Sequence, residues 1–402
     1  MNKNIAALVA ISSKPTRHII GLMSGTSLDG LDVAYCAISG HGESTVVDLK
    51  HFATVDYTDD IKQEIRSVFA RKTVDFQKLT LLNAWIGDLH AQIVLDCLLK
   101  WQVSAQLIDL IASHGQTVMH LPKKLHAQEK FSNATLQIGD GDHIAVKTGI
   151  ITVTDFRQKH IAAGGEGAPL AVYGDYFIFG KQGEHRIMLN MGGIANFTYL
   201  PADLNPCSVF VTDTGPGNTL LDAFTRMYFS GLAYDKDALI ASQGAVNLGL
   251  LKKLQQHSFF DQTFPKTTGP ELFNVGYVQD AQIAAQCQDL SPENLLATLT
   301  RFSAATMAAA IKEAALTSQA NLSEFAIYMS GGGAHNPLLV TWLKELLPCR
   351  FMTTDDIGIS GDAKEAVLFA ILANETIAGG ESDFGRRRGI PSVTMGKICF
   401  PS

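Results

Sequence analysis

The stretch GLMSGTSLDGLDVAYCAIS, residues 21–39, decides how the rest of the chain is interpreted. Two apolar runs that suit β-strands flank a short polar turn, and this pattern predicts a β-hairpin. The turn holds Gly25, Gly30 and several hydroxyl side chains. Glycine lets a backbone approach a ligand closely, and exposed N–H and hydroxyl groups can surround phosphate oxygens. The turn is therefore a candidate phosphate-binding segment, although a plain tight hairpin would explain the same residues.

Two carboxylates, Asp29 and Asp32, lie in the same segment. A carboxylate repels phosphate, but it suits a hydrated Mg²⁺ that bridges to phosphate oxygens. We therefore predict that Asp29 and Asp32 lie next to a magnesium ion.

The hairpin pattern returns in the second half of the chain. HRIMLNMGGIANFTYLP at 185–201 predicts a strand, a Gly-Gly turn and a second strand, and SVFVTDTGPGNTLLDAF at 208–224 predicts a strand and a helix. A second glycine hairpin favours ligand binding by both, so Gly192, Gly193 and Asn196 are candidate nucleotide-binding residues. Each half is predicted to form a five-stranded sheet flanked by helices, an α/β arrangement.

Periodicity and turn residues predict the other elements. Strands are expected at 18–24, 31–39, 46–55 and 107–115, with a strand, turn and short helix in LQIGDGDHIAVKTG and a strand in IITVTDFR. Helices are expected at 59–70, 73–101, 237–257, 277–288 and 292–317, with a last one from about Ala363. Residues 1–16 are predicted to be a frayed extension.

The composition describes an ordinary globular protein. The 402 residues suit two domains, 46% of them are hydrophobic and the net charge is −7. No basic footprint for nucleic acid is present, and GRRR at 385–388 is interpreted as a solvated loop. The six cysteines lack metal-ligand spacing and are interpreted as buried apolar residues. The apolar run at 6–12 is too short to span a membrane, so we expect a cytoplasmic protein.

A triple glycine, SGGGAHN at 330–336, stands between a predicted strand and a predicted helix. Glycines before a helix suit the ribose and α-phosphate of a nucleotide, which makes Gly331, Gly332 and Gly333 candidate binding residues. A sharp helix entry would explain them equally well. The chain has no P-loop motif and no evident dinucleotide fingerprint, which argues against a nicotinamide cofactor.

Asp213 ends an apolar strand in VTDTGPGN and precedes a Gly-Pro-Gly turn. A carboxylate in that place suits a general base that acts on water or a hydroxyl group. The alternative is that Asp213 caps the helix that follows.

Five further residues are candidates for contact with a substrate: His114, Gln116, Asp155, Arg157 and Glu365. SHGQT at 113–117 offers a substrate-contacting histidine, although a structural histidine would look the same. Asp155 and Arg157 place a carboxylate and a planar donor at a strand end, where they could bind sugar or carboxylate oxygens or pair with each other. Glu365 opens a helix and suits either the helix dipole or a sugar.

The motifs together resemble one family closely. The chain carries, in this order, GLMSGTSLDGLD, SHGQT, LQIGDG, TDFR, AAGGEGAP, NMGGIAN, DTGPGN, YDKD, PKTTG, GGGAHNPLL and DAKEA. From about residue 18 to the C-terminus it is similar to the anhydro-N-acetylmuramic acid kinases. The resemblance implies two RNase H-like domains, as in actin, Hsp70 and hexokinase, around an interdomain ATP cleft. It places the first domain at 1–160 plus about 370–402 and the second at about 161–369.

The resemblance also implies a function. Members of this family use ATP and Mg²⁺ to phosphorylate O6 of 1,6-anhydro-N-acetylmuramic acid as the anhydro ring opens. The reaction is a step in peptidoglycan recycling. The product is N-acetylmuramic acid 6-phosphate. By this resemblance Asp213 is the catalytic residue, and a homodimer is expected. The ATP phosphates are bound by the segment Gly25, Thr26, Ser27, Leu28, Asp29, Gly30, Leu31 and Asp32.

Three places depart from the commoner family pattern. They are His160, where aspartate is usual, Ala171-Val172 and Pro270-Glu271. His160 is expected near the sugar, so a levoglucosan-type anhydro-sugar kinase is the first alternative. The second alternative is a nucleotide-gated binding protein of the chaperone type. Such a protein would carry a long peptide-binding domain after its ATPase domains, and we expect no room for one before Ser402. A catalytically impaired paralogue is the third.

Overall fold

The computed structural model describes residues 1–168, 170–358, 361–380, 383–385 and 390–402. Within these residues the strands, numbered in chain order, are β1 Thr16–Ser24, β2 Gly30–Ser39, β3 Val46–Asp56, β4 Leu110–Leu121, β5 Ala134–Ile138, β6 Thr152–Thr154, β7 His185–Met191, β8 Ile194–Leu200, β9 Phe210–Pro216, β10 Phe325–Ser330, β11 Arg350–Thr353 and β12 Lys397–Cys399.

The α-helices are numbered in the same way. They are α1 Lys3–Ser12, α2 Asp59–Arg66, α3 Phe76–Lys100, α4 Lys123–His126, α5 Gly141–Thr148, α6 Phe156–Ala162, α7 Ala171–Phe179, α8 Thr219–Tyr228, α9 Leu248–Leu254, α10 Val275–Ala284, α11 Pro292–Thr317, α12 Pro337–Leu346 and α13 Lys364–Ala378.

The chain forms two compact units. Unit 1 comprises Met1–Phe179 and Gly358–Ser402, and unit 2 comprises Gly180–Ile357. The expected boundaries near residues 160 and 370 therefore need correction. Helix α7 belongs to unit 1 because it packs on α13, where Gly174 leaves room for the side chain of Leu368.

The sheet of unit 1 has seven strands in the described residues, where five were expected. Its order is β12-β6-β4-β1-β2-β3, with β5 paired to β4. Strands β1, β2 and β3 are antiparallel neighbours, whereas β4 runs parallel to β1 and β6 runs parallel to β4. The two extra strands, β5 and β12, are both antiparallel additions.

The sheet of unit 2 repeats this plan with the expected five strands. Its order is β11-β10-β7-β8-β9, with β7, β8 and β9 antiparallel and β10 and β11 parallel to β7. Strand order and direction therefore match those of β6-β4-β1-β2-β3 in unit 1. This repeat confirms the predicted α/β fold, and its strand order agrees with the two RNase H-like domains that the family resemblance implied.

Each sheet is covered by helices through apolar contacts. In unit 1, α13 lies so close to β1 that a Cβ on Gly21 would stand 1.9 Å from the carbonyl oxygen of Ala366. In unit 2, α11 buries Met307 and Ile311 against the sheet residues Ile187 and Phe197. These helices hold the strand ends on which the candidate site residues lie.

The structure corrects two predicted segments and leaves one untested. Residues 1–16 are not a frayed extension, because they contain α1, where Asn4 donates a hydrogen bond to the Pro401 carbonyl at 2.8 Å. The expected helix at 237–257 is reduced to two short 3₁₀ turns and α9. Of the predicted loop at 385–388, residues 386–388 lie outside the described residues.

Candidate active site

The predicted phosphate-binding turn is formed and open. It connects β1 to β2, with Thr26, Ser27 and Asp29 exposed. A Cβ added at Gly25 would meet no atom closer than 3.7 Å, so the space above this residue is free. Leu28 adopts a left-handed conformation with φ of 61° and is buried, which anchors the turn to the core. The turn therefore presents backbone and hydroxyl groups on its outer side.

Gln116 supports this turn from within the protein. Its Oε1 accepts a hydrogen bond from Ser24 Oγ at 2.6 Å, and its Nε2 donates to the Gly25 carbonyl at 3.1 Å. The side chain is fully buried. Contact of Gln116 with the substrate stays a prediction, since both polar ends of its amide already have partners in the protein.

The two acidic residues of the segment differ in their surroundings. Asp29 is exposed on the turn, whereas Asp32 lies in β2 and accepts a hydrogen bond from Thr54 Oγ1 at 2.6 Å. Partial burial raises the pKa of Asp32, against the effect of the Thr54 hydroxyl. No group of three or more metal-binding side chains occurs in the described residues. An exposed carboxylate beside hydroxyl groups fits Mg²⁺, which usually keeps several waters and takes one or two carboxylates.

His114 and Arg157 form a hydrogen-bonded pair. Arg157 Nε donates to His114 Nε2 at 2.7 Å, and its Nη1 donates to the Gly167 carbonyl at 2.6 Å. The other ring nitrogen of His114 lies 2.8 Å from the Gly115 carbonyl, so we assign its proton to Nδ1. Burial, with a further effect of the Arg157 charge, holds the pKa of His114 well below its usual range. The imidazole is therefore a neutral group that orients the guanidinium.

Glu365 lies in the first turn of α13 and has no hydrogen-bond partner among the described residues. Desolvation raises the pKa of its carboxyl group, although the charges of Arg157 and Lys364 act in the opposite direction. Asp32 adds a smaller effect that also raises the pKa. Glu365 thus belongs to the same electrostatic neighbourhood as Arg157 and the turn.

Asp155 is directed to a different partner. Its Oδ2 accepts a hydrogen bond from Lys397 Nζ of β12 at 2.8 Å. The ion-pair alternative raised by the sequence therefore exists, but with Lys397 and not with Arg157. Asp155 also has an unusual left-handed backbone, with φ of 56°, immediately before α6.

His160, at the position where the sequence departs from the family pattern, is buried in α6. Its Nδ1 accepts a hydrogen bond from the Gly167 N–H at 2.9 Å, while its Nε2 has no partner in the described residues. Burial, and to a smaller degree the charge of Arg157, lowers the pKa of His160 to about 4. A Cβ on Gly165 would lie 2.2 Å from the ring. The 165–167 segment therefore wraps tightly around a neutral imidazole.

In unit 2 the two glycine turns pack on each other. The carbonyl of Gly192 accepts a hydrogen bond from the Asn218 N–H at 2.9 Å. The carbonyl of Gly193 accepts a hydrogen bond from the Gly217 N–H at 2.8 Å. A Cβ on Gly217 would lie 2.2 Å from the Gly192 carbonyl oxygen. Asn218, which the sequence analysis did not select, also donates from its side chain to the Met191 carbonyl.

The triple glycine joins the same cluster. Gly331 has φ of 80°, and a Cβ there would lie 2.6 Å from Asn190 Oδ1. Gly332 begins a 3₁₀ turn, and the cap of α12 is Asn336, whose side chain accepts from the Leu339 N–H. The glycines therefore do not form the helix N-terminus itself, as the sequence suggested, but precede it by this turn.

Asp213 lies on β9 beside Asn196, which in turn pairs with Asn190 of β7. Its Oδ2 accepts a hydrogen bond from the Thr268 N–H at 2.8 Å, and its Oδ1 has no partner in the described residues. Desolvation raises the pKa of Asp213, against the effect of the Thr268 hydrogen bond. Asn218 occupies the N-cap position of α8, so the helix-cap interpretation of Asp213 is wrong.

The structure thus brings several, but not all, of the predicted residues of each unit together. Within unit 1, Gln116 contacts the 25–32 turn, and Arg157 pairs with His114, whereas Asp155 faces Lys397. Within unit 2, the glycine turns form one cluster and Asp213 stands on the neighbouring strand. Sequence reasoning missed Ser24 as a link to Gln116 because an ordinary turn serine looks the same.

Comparison with known proteins defines the class to which this fold and site belong. The family model for anhydro-N-acetylmuramic acid kinase matches residues 17–397. The chain is 57% identical to the enzyme of that name from Pseudoalteromonas atlantica over the full length of both, and 50% identical to that of Pseudoalteromonas translucida, also over the full length of both. It is 38% identical to the Caldanaerobacter subterraneus protein of that name, over 98% of this chain and 99% of the relative.

The protein is therefore a kinase, a phosphotransferase that uses ATP. It belongs to the anhydro-N-acetylmuramic acid kinase family. A solved structure, an activator of 2-hydroxyisocaproyl-CoA dehydratase from Clostridium difficile with bound ADPNP, is 12% identical with a TM-score of 0.37, over 90% of this chain and 95% of the other. No helix in the described part of the chain is long and apolar enough to cross a membrane.

Proposed function

We propose that this protein uses ATP and Mg²⁺ to convert 1,6-anhydro-N-acetylmuramic acid into N-acetylmuramic acid 6-phosphate, a step in peptidoglycan recycling. The proposal rests on the family and on one observation above all. Asp213 keeps one carboxylate oxygen fixed by the Thr268 N–H and leaves the other without a partner in the described residues. A half-buried carboxylate in this state is suited to accept a proton.

The chemistry explains why a base is needed. In the anhydro sugar O6 is bonded to C1, so no free hydroxyl exists to attack ATP. A water oxygen forms a bond to C1 as the C1–O6 bond breaks, and O6 bonds to the γ-phosphorus as the bond to the β–γ bridging oxygen breaks. Asp213 takes the proton that the water loses. ADP and the 6-phosphate leave, and the proton returns to solvent.

The 25–32 turn would hold the phosphates of ATP. Its open Gly25 and exposed Thr26 and Ser27 support this role, because donors fixed before the reaction stabilise charge on a transferring phosphoryl group. Asp29, with Asp32 behind it, would hold Mg²⁺. When bound, this ion would neutralise the developing phosphate charge.

Arg157 would bind the lactyl carboxylate that distinguishes the muramic sugar. Its Nε and Nη1 are fixed by His114 and Gly167, whereas its Nη2 has no partner in the described residues. A preorganised planar donor of this kind suits a carboxylate. The carboxylate of Glu365 has no hydrogen-bond partner among the residues that the structure describes, and it would accept from a sugar hydroxyl or amide.

One assay separates this proposal from its alternatives. ADP release is coupled to a spectroscopic readout with 1,6-anhydro-N-acetylmuramic acid and levoglucosan tested side by side. We expect faster turnover with the muramic sugar. Turnover with levoglucosan alone would replace the proposal by a levoglucosan-type kinase. Nucleotide binding without turnover of either sugar would point to a binding protein or an impaired paralogue.

A further inference from the structure

A chain of four buried polar side chains runs behind the 25–32 turn. His90 Nε2 lies 2.8 Å from Tyr57 Oη, which lies 3.0 Å from Ser24 Oγ, which lies 2.6 Å from Gln116 Oε1. Gln116 Nε2 then reaches the Gly25 carbonyl at 3.1 Å. All four side chains are at most 3% exposed. Neither Tyr57 nor His90 belongs to a motif that the sequence analysis selected.

The hydrogen bonds in this chain run in one direction. Tyr57 has a single hydroxyl proton, and it donates that proton to Ser24. His90 must therefore donate from Nε2 to the Tyr57 oxygen. Burial lowers the pKa of His90 to about 4, so this ring is neutral, with its proton on Nε2. Ser24 Oγ in turn donates its hydrogen bond to Gln116 Oε1, because the oxygen of an amide group can only accept.

The last bond of the chain fixes one peptide plane of the turn. In a trans peptide the carbonyl and the following N–H point in opposite directions. The Gly25 carbonyl is directed inward to Gln116. The N–H of Thr26 is therefore directed outward, and it has no partner among the described residues. The Gln116 amide also donates to the Thr117 carbonyl, which keeps it from rotating.

We infer that Tyr57, His90, Ser24 and Gln116 are positioning residues that hold the Thr26 N–H outward as a donor to a phosphate of the nucleotide. This inference rests on the proposed function of the turn. His90 Nδ1 has no partner in the described residues, but the hydrogen bonds that link His90, Tyr57, Ser24 and Gln116 are all formed. The loss of one member would leave its buried neighbours unpaired. The network therefore acts on nucleotide affinity from a distance, through the orientation of one peptide group.

The test compares two buried tyrosines of unit 1, Tyr57, which directly follows β3, and Tyr35, which lies in β2. Tyr57→Phe removes the middle link of the chain. Tyr35→Phe is the matched control, because its hydroxyl also bonds a histidine ring, His18 Nδ1 at 2.7 Å, but in the half of the β1–β2 hairpin remote from the turn. The measurements are the dissociation constant for ADP by calorimetry, the KM for each substrate, and the unfolding midpoint.

Tyr57→Phe is expected to raise the dissociation constant for ADP and the KM for ATP by about 3- to 30-fold, the range of one or two lost hydrogen bonds. The KM for the sugar should stay within twofold of wild type. Tyr35→Phe should leave all three values unchanged. Gln116→Met, which fills the same space without an amide, should reproduce the nucleotide effect even if Tyr57→Phe folds poorly.

Unchanged nucleotide binding in folded Tyr57→Phe and Gln116→Met proteins would overturn the inference. So would equal losses of nucleotide and sugar affinity, since these would indicate a general structural role. Calorimetry with ADP does not depend on turnover. If wild type binds ADP but phosphorylates neither sugar, the proposed function fails while weaker ADP binding by Tyr57→Phe would still support the positioning role.

Discussion

Arg157 Nε donates a hydrogen bond to His114 Nε2 at 2.7 Å, which joins β4 to the first turn of α6. The pair explains why a histidine stands in SHGQT. A protonated imidazole could not accept this bond, and the buried position of His114 keeps it neutral. His114 therefore determines how the guanidinium is oriented.

Arg157→Ala is expected to raise the KM for the muramic substrate more than the KM for levoglucosan. The lost contact is a charge-assisted hydrogen bond worth about 1.5–3 kcal/mol, which corresponds to roughly 10- to 150-fold in binding. Levoglucosan has no carboxylate and should lose little. Steady-state kinetics with both sugars, at saturating ATP, checks this expectation.

Lys123→Ala serves as a control, since Lys123 is an exposed lysine in α4 of the same unit. It should leave both KM values near those of wild type. An equal rise for the two sugars in Arg157→Ala would show that Arg157 only maintains the fold around His114 and Gly167.

Gly25→Val is expected to weaken ATP binding in a protein that still folds. The free space at Gly25, where a Cβ meets nothing within 3.7 Å, predicts a normal unfolding midpoint. The added side chain would instead occupy the position of a phosphate. Gly30→Val provides the contrast, because its Cβ would lie 2.3 Å from the Val55 carbonyl oxygen and should disrupt β2–β3 pairing. Unchanged ADP affinity in folded Gly25→Val would contradict the role of the turn.

Three buried histidines in unit 1 predict an acid-sensitive fold. Burial lowers the pKa of His90 and of His160 to about 4 and holds that of His114 well below its usual range. The unfolded chain binds protons at about pH 6.5 at each of these sites, so the stability they contribute is present above that pH. It is lost as the pH falls from about 6.5 towards 4, at up to about 1.4 kcal/mol per histidine and pH unit.

Urea unfolding at several pH values tests this expectation. Glu365 and Asp213 have raised pKa values and oppose the trend at the acid end, so variants are compared with wild type at each pH. His90→Gln should make the free energy of unfolding less dependent on pH between about 6.5 and 4. His51→Gln, a variant of a half-buried histidine on β3, is the control. Equal slopes for wild type and His90→Gln would disprove the linkage.

Local sequence signals predicted much of the fold. Helix α11 was placed at 292–317 with both ends right, because Ser291 caps it and Pro292 occupies its first turn. The prediction of helix throughout 237–257 was wrong because only α9 is an α-helix there, and its Leu250 and Leu254 belong to a core that also contains residues of α8, α10 and α11. Apolar spacing alone does not distinguish that arrangement from one long helix.

Contacts between distant residues could not be predicted in this way. Tyr57 and His90 are 33 residues apart, and Asp213 and Thr268 are 55 apart. Nothing local in the sequence relates these partners. The sequence could therefore indicate Asp213 and the 25–32 turn, but not the groups that orient them.

Asp213→Asn is the sharpest test of the chemistry. Asparagine keeps the shape of the side chain and its carbonyl can still accept from the Thr268 N–H, so both substrates should bind with near-normal affinity. Without a base, the water that attacks C1 cannot lose its proton, and turnover should fall at least about a hundredfold. Asp222→Asn is the matched control, since burial also raises the pKa of Asp222, on α8 of the same unit, outside the proposed site.

In ¹⁸O-labelled water the wild-type product should carry the label at C1 and not in the phosphoryl group. Label in the phosphoryl group, or near-normal turnover by Asp213→Asn, would rule out water attack on C1 assisted by Asp213.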